Sequence, residues 1–197
     1  MKVKICGLFR DVDIDFVNAA RPDYIGFVFY KKSHRNVSLK QAAALKSRLA
    51  GGIKAVGVFV DETFEDIVKY ALSGVFDVIQ LHGSEDNGYI TALKEKTGIE
   101  VWKAFKLRSE ADVKTAENSA ADMLVLDNGK GTGYTFDWSL LKNINRDYFL
   151  AGGINTENIA AAAKLSPYGV DCSSGAETDG RKDKEKINYI VAKCHER

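Results

Sequence analysis

Short apolar runs rich in Val, Ile, Leu, Phe and Tyr recur eight times along this chain, at residues 3–8, 24–30, 53–60, 77–82, 101–107, 123–127, 148–154 and 169–173. Between them lie segments with helical spacing, among them 39–50, 64–72, 89–96, 158–165 and 187–193. Ser38, Leu39, Lys40 and Gln41 read as a capping box, and Ser109 and Thr156 precede further helical stretches. Nearly continuous apolar runs are the pattern of strands buried on both faces, as in a parallel sheet. Strand–helix units repeated in this order predict an α/β protein, a single-domain (β/α)8 TIM barrel over residues 1–197. An open doubly wound sheet is the structural alternative. It more often has fewer strands and a dinucleotide loop, and no G-x-G-x-x-G follows the first run here. Neither a linker nor a low-complexity stretch divides the chain.

Charge narrows the function classes. Twenty-eight Lys+Arg stand against 27 Asp+Glu, a net charge of +1, which gives no bulk attraction to nucleic acid or an anionic membrane. The basic group of Lys31, Lys32, His34 and Arg35 is local. Three separated cysteines, Cys6, Cys172 and Cys194, fit neither a disulfide framework nor a zinc knuckle. The first residues carry no signal-peptide core, and no apolar run approaches membrane-spanning length. The expectation is a reduced, cytoplasmic protein.

In such a barrel the chemistry sits at the C-terminal ends of the strands. There the sequence places Cys6-Gly7, then Ser33-His34-Arg35, Gln80-Leu81-His82-Gly83, Asp127, Ala151-Gly152-Gly153 and Asp171-Cys172-Ser173-Ser174-Gly175. Strand neighbours point to opposite faces, so Cys6 shares a face with Lys4, while Val3 and Ile5 turn toward the helices. Asp127 goes with Val125 and Met123, His82 with Gln80, and Asp171 with Ser173. If these sets face the axis, Lys4, Cys6, Gln80, His82, Asp127 and Asp171 line one cavity, and Cys172 packs against helices. Gly152, Gly153, Ser173, Ser174 and Gly175 follow the seventh and eighth strands, where barrels that bind phosphate present backbone N–H groups. A phosphorylated small substrate is the inference.

The stretches KICG at 4–7, SHRNVS at 33–38, VGVFV at 56–60, QLHG at 80–83, LVLD at 124–127, GTGYTFDW at 131–138, LAGGI at 150–154 and GVDCSSGAE at 169–177 resemble those of the phosphoribosylanthranilate isomerase family. They run in order from the first strand to the last helix. Departures from the family pattern fall at Phe9, Asn128, Thr156 and Ala176.

The resemblance implies an Amadori rearrangement of N-(5'-phosphoribosyl)anthranilate to 1-(2-carboxyphenylamino)-1-deoxyribulose 5-phosphate, a step between chorismate and tryptophan. Asp127 is then the acid that opens the sugar ring, and Cys6 the base that removes the C2' proton. Arg35 meets the anthranilate carboxylate, Asp171 the bridging nitrogen, and His82 orients substrate. No metal or organic cofactor is implied, and no nucleic-acid or membrane partner; the chain is expected as a monomer or homodimer. Both reacting groups need tuning: Lys4, if it lines the same cavity, favours a Cys6 thiolate, and Asp127 needs partial desolvation to keep its proton. Gly7 is expected to let the chain turn closely beside the substrate. Two rivals stay open at this point. One is another barrel isomerase or lyase on a phosphorylated sugar; the other is a non-catalytic barrel that binds a phosphometabolite, which would not require the Cys6 and Asp127 pair.

Overall fold

The computed structural model describes residues 1–127 and 137–196. Eight strands, β1 (Lys2–Cys6), β2 (Tyr24–Phe29), β3 (Lys54–Phe59), β4 (Val78–Leu81), β5 (Glu100–Lys106), β6 (Met123–Asp127), β7 (Tyr148–Leu150) and β8 (Gly169–Cys172), pair in parallel in that order and close into a barrel. Around it run α1 (Asp11–Ala20), α2 (Leu39–Ser47), α3 (Phe64–Ala71), α4 (Asn87–Thr97), α5 (Glu110–Glu117), α6 (Ile159–Ala163) and α7 (Lys184–His195). A 3-10 turn at Trp138–Asn143 occupies the place of a helix between β6 and β7. After β8 a second such turn, Ser174–Ala176, leads into a two-stranded hairpin, β9 (Glu177–Thr178) and β10 (Arg181–Lys182). The barrel expected from the apolar rhythm is therefore the observed fold.

Strand alternation sorts the core into two layers. Val3, Ile5, Ile25, Ile79, Leu124 and Cys172 pack outward against the helices. Cys6, Tyr24, Val58, Trp102, Val125 and Phe149 belong to the cluster inside the barrel. At the N-terminal end of the axis Tyr24, Trp102 and Phe149 interlock, with Trp102 and Phe149 stacked at 4.7 Å and Tyr24 edge-on to both. Burying three aromatic side chains there closes the bottom of the barrel and supplies a large share of the interior's apolar burial.

Helix starts follow local chemistry. Ser38, Thr63, Asp86 and Ser109 each accept the N–H of the residue three positions on, satisfying a donor the helix leaves open. The box at Ser38 is only half made, because the Gln41 side chain donates instead to the Phe9 carbonyl at 2.8 Å. Thr156 does not start α6: Asn155 Oδ1 accepts the N–H groups of Glu157 and Asn158. Before α1 there is no Ser, Thr, Asp or Asn cap; Asp13 reaches back to the N–H groups of Phe9 and Arg10. β7 stops at Leu150, short of the expected run to 154, because Gly152 and Gly153 both take φ of +77° and leave the strand.

Candidate active site

The C-terminal mouth of the barrel opens into a cavity of about 510 Å³. Cys6 from β1, Gln80 and His82 from β4 and the segment after it, Asp127 from β6 and Asp171 from β8 all reach it. Val28, Tyr30, Val58 and Val60 make an apolar wall on the β2–β3 side, and Gly152, Gly153, Ser173 and Ser174 form the rim after β7 and β8. Small side chains make the room: above Tyr24, Trp102 and Phe149, the same strand faces carry Gly26, Ala104 and Ala151.

Cys6 is 8% exposed, and it is seated by Gly26, where a Cβ would lie 2.7 Å from its sulfur. Lys4 does not line the cavity. It lies beneath, fully buried, with Nζ donating to Asp171 Oδ2 at 2.7 Å and reaching the Cys6 sulfur as well. Alternation fixed its face but not its depth, since Lys4 is two residues nearer the plugged end than Cys6. Burial opposes the Lys4 charge, but Asp171 and Cys6 outweigh it, and the ammonium is held above the usual lysine range. For Cys6 the balance goes the other way. Burial pushes the thiol up and Asp171 adds to the rise; Lys4 favours the thiolate, as expected, but is outweighed, so the resting group is a thiol.

On the other wall, His82 Nε2 stands 3.6 Å from Asp127 Oδ2, and its Nδ1 is 3.2 Å from Gln80 Nε2. Burial holds the imidazole below the usual histidine range against the opposing pull of Asp127. The peptide N–H of His82 donates to the Phe59 carbonyl at 2.8 Å, which anchors the residue just past β4. Two acceptors around the cavity floor, Gln80 Oε1 and Asp171 Oδ1, are buried with no hydrogen-bond partner among the described residues. A ligand with N–H or O–H donors would satisfy them.

Arg35 lines the cavity from the loop after β2, and its guanidinium is already half engaged. Nε and Nη2 donate to the two carboxylate oxygens of Glu177 at 2.7 and 2.6 Å. That uses the side-on edge of the fork and leaves the end-on edge for a second planar anion. Lys182 donates to Glu177 at 2.6 Å and to the Ser173 carbonyl at 3.0 Å, tying the β9–β10 hairpin to the rim after β8. Burial alone would raise the Glu177 carboxyl, but Arg35 and Lys182 outweigh it and hold it down at about 2. Gly7 has φ of +83°, and a Cβ there would collide with Cδ of Arg35; the close neighbour is the arginine stem, not the cavity.

At the rim, the left-handed φ of Gly152 and Gly153 excludes most side chains. Gly175 has a different role from its neighbours. It does not reach the cavity, and a Cβ on it would run into the Ile154 carbonyl and Asn155, so it is a packing glycine. Asn128 and most of the stretch at 131–138 lie outside the described residues. The sequence reading missed Glu177 and Lys182, the partners that set Arg35, and Lys106, which lines the mouth beside Asp127. Glu177 had a signal, as the last residue of GVDCSSGAE, and Gly26 had one as a glycine inside a strand, which marks close backbone approach. Lys182 had none.

The family model for N-(5'-phosphoribosyl)anthranilate (PRA) isomerase matches residues 3–193. A Clostridium kluyveri protein named N-(5'-phosphoribosyl)anthranilate isomerase is 47% identical over 197 residues, covering 98% of this chain and 97% of its own. A crystal structure of phosphoribosyl anthranilate isomerase in complex with reduced 1-(o-carboxyphenylamino)-1-deoxyribulose 5-phosphate superposes with a TM-score of 0.87 at 34% identity, over 98% of each chain. The Thermotoga maritima enzyme, described as dimeric and solved as mutually generated monomers, does so with a TM-score of 0.87 at 35% identity, again over 98% of each chain.

Proposed function

This chain belongs to the N-(5'-phosphoribosyl)anthranilate isomerase family, and from that premise we infer how its own residues carry out the reaction. The enzyme converts N-(5'-phosphoribosyl)anthranilate to 1-(2-carboxyphenylamino)-1-deoxyribulose 5-phosphate, an aldose–ketose isomerisation of tryptophan biosynthesis. In our reading Asp127 gives its proton to the furanose ring oxygen. The bond from C1' to that oxygen breaks, and the nitrogen lone pair closes a C1'=N bond. Cys6, its thiol proton released to solvent, takes the proton from C2' as the thiolate. The enolamine then collapses to the C2' ketone as the 2'-hydroxyl gives its proton to the Asp127 carboxylate and the Cys6 thiol returns one to C1'. Charge makes the second step favourable. A thiol that burial keeps protonated is a strong base once ionised, and the cationic C1'=N group beside it favours that ionisation.

The observation that carries this reading is one cavity holding Cys6 and Asp127 on separate strands, between two chemically different ends. The apolar wall of Val28, Tyr30, Val58 and Val60, with the free edge of Arg35, suits an aromatic ring bearing a carboxylate. The opposite rim of Gly152, Gly153, Ser173 and Ser174 suits a phosphate held by backbone N–H groups. Gly175 supports that rim from behind. Asp171 Oδ1 is the acceptor for the bridging N–H, and Lys4 holds Asp171 in place from below.

Residues 1–197 work as one catalytic unit in this proposal, acting in the cytoplasm on a phosphorylated small molecule, with no nucleic acid or membrane as partner. Among the described residues no helix is long and apolar enough to cross a membrane. The chain acts as a monomer or as a homodimer, the latter being the form described for the Thermotoga maritima relative. The direct test is to add purified protein to freshly made phosphoribosylanthranilate and follow anthranilate-type fluorescence. Enzyme-dependent loss of the signal is expected; a trace matching the protein-free control would overturn the assignment.

A further inference from the structure

Asp127 has a neighbour whose chemistry the acid/base scheme leaves unused. His82 Nε2 faces its carboxylate at 3.6 Å, and Gln80, 1% exposed, meets His82 Nδ1 at 3.2 Å. Both side chains lie on the inward face of one strand direction, two residues apart, so the Gln80 amide backs directly onto the imidazole.

An imidazole nitrogen that accepts from an amide NH2 carries no proton, so a neutral ring bonded in this way has its proton on Nε2. In the observed orientation the Gln80 NH2 faces Nδ1 and leaves Oε1 open to a ligand donor; turning the amide over would instead leave both of its N–H donors buried where Oε1 now stands. We propose that Gln80 and His82 are positioning residues for Asp127: Gln80 fixes His82 as the Nε2–H tautomer, and that N–H steadies the Asp127 carboxylate as it gives up its proton. This rests on the reading of Asp127 as the ring-opening acid. The donor is worth most when charge has developed on the carboxylate, so it lowers the barrier more than it strengthens substrate binding. Closing a 3.6 Å gap to hydrogen-bond length takes a few tenths of an ångström. Burial keeps the ring neutral, the state the tautomer argument needs.

The first measurement uses the native enzyme. ¹⁵N spectra of histidine-labelled protein, with the His82 signals assigned by their loss in His82→Asn, should show Nδ1 unprotonated and Nε2 protonated. The second is kinetic. Gln80→Leu should lower kcat by about 10-fold, the scale of one hydrogen bond to a charged group, while KM changes by less than about 3-fold. His82→Gln carries an N–H near the position of Nε2, and should turn over about 10-fold faster than His82→Asn, whose amide falls near Nδ1. On top of His82→Gln, adding Gln80→Leu should change kcat little, because the tautomer no longer matters. A His82 ring protonated on Nδ1 would overturn the proposal, as would equal turnover in the Gln and Asn variants. Asp127→Asn separates the two levels. If it abolishes turnover while the tautomer is wrong, only the positioning proposal falls; if it turns over like the native enzyme, the acid assignment falls and takes the proposal with it.

Discussion

The two ends of the barrel are built from the same strand faces, yet they do opposite things. At the N-terminal end Tyr24, Trp102 and Phe149 fill the axis; two residues further along the same strands stand Gly26, Ala104 and Ala151. One step of the strand repeat turns a packed plug into an open cavity. The plug is apolar and closely interlocked, whereas the open end gathers Cys6, His82, Asp127 and Asp171, and leaves two buried acceptors there without partners among the described residues. Stability is concentrated below and chemistry above, and Lys4 sits at the boundary, fully buried and paired upward with Asp171.

The largest break in that division is at the plug. Trp102→Ala removes a fully buried indole and should cost about 3–5 kcal/mol of stability, measured by urea unfolding. Turnover per folded molecule should stay near native; a collapse of kcat at full stability would mean the plug shapes the chemistry. Next comes the charged frame of the open end. Glu177→Gln leaves Arg35 and Lys182 without their shared carboxylate, and should cost about 3 kcal/mol near neutral pH. The sign with pH follows from the depressed value of about 2 in the fold. The native carboxylate stabilises fully above its unfolded value of about 4.3 and loses that stabilisation as pH falls toward 2. The stability gap between native and variant should therefore narrow from pH 6 to pH 3, and a constant gap would contradict the pairing argument.

Arg35→Met should weaken ligands that carry the aromatic ortho carboxylate by about 2–3 kcal/mol, through loss of charged hydrogen bonds from its open edge. An analogue without the carboxylate should bind both forms alike; equal losses would make Arg35 only a brace for Glu177. The smallest change is one methyl group. Gly26→Ala pushes a Cβ to within 2.7 Å of the Cys6 sulfur, and should cost about 1–2 kcal/mol while lowering kcat through a displaced thiol. Native turnover in that variant would show that the exact seat of the sulfur is unimportant.

The barrel was readable because strands buried on both faces must be apolar nearly throughout, and β6 matches the expected run residue for residue. Alternation groups the residues that share a strand face with Cys6, Gln80, Asp127 and Asp171, and the cavity shows that this face is the inward one. Depth along the strand is not legible from alternation, which groups Lys4 with the cavity-lining side chains although it lies beneath them. Contacts between distant segments were also hidden. Glu177 meets Arg35 across 142 positions, and nothing near Arg35 in the sequence announces a carboxylate already on its fork. Gly175 looked like its neighbours because the pattern of a glycine-bearing loop does not say which glycine faces a ligand and which faces the Ile154 carbonyl.

In the proposed mechanism Cys6 moves the C2' proton, and the most direct test is the turnover of Cys6→Ala, followed by loss of substrate fluorescence. Removing the sulfur from a seat that Gly26 and Lys4 define should leave the fold intact and lower kcat by at least about 10²-fold, with KM little changed. A folded Cys6→Ala enzyme with near-native kcat would contradict the account and leave Cys6 as part of the barrel's packing.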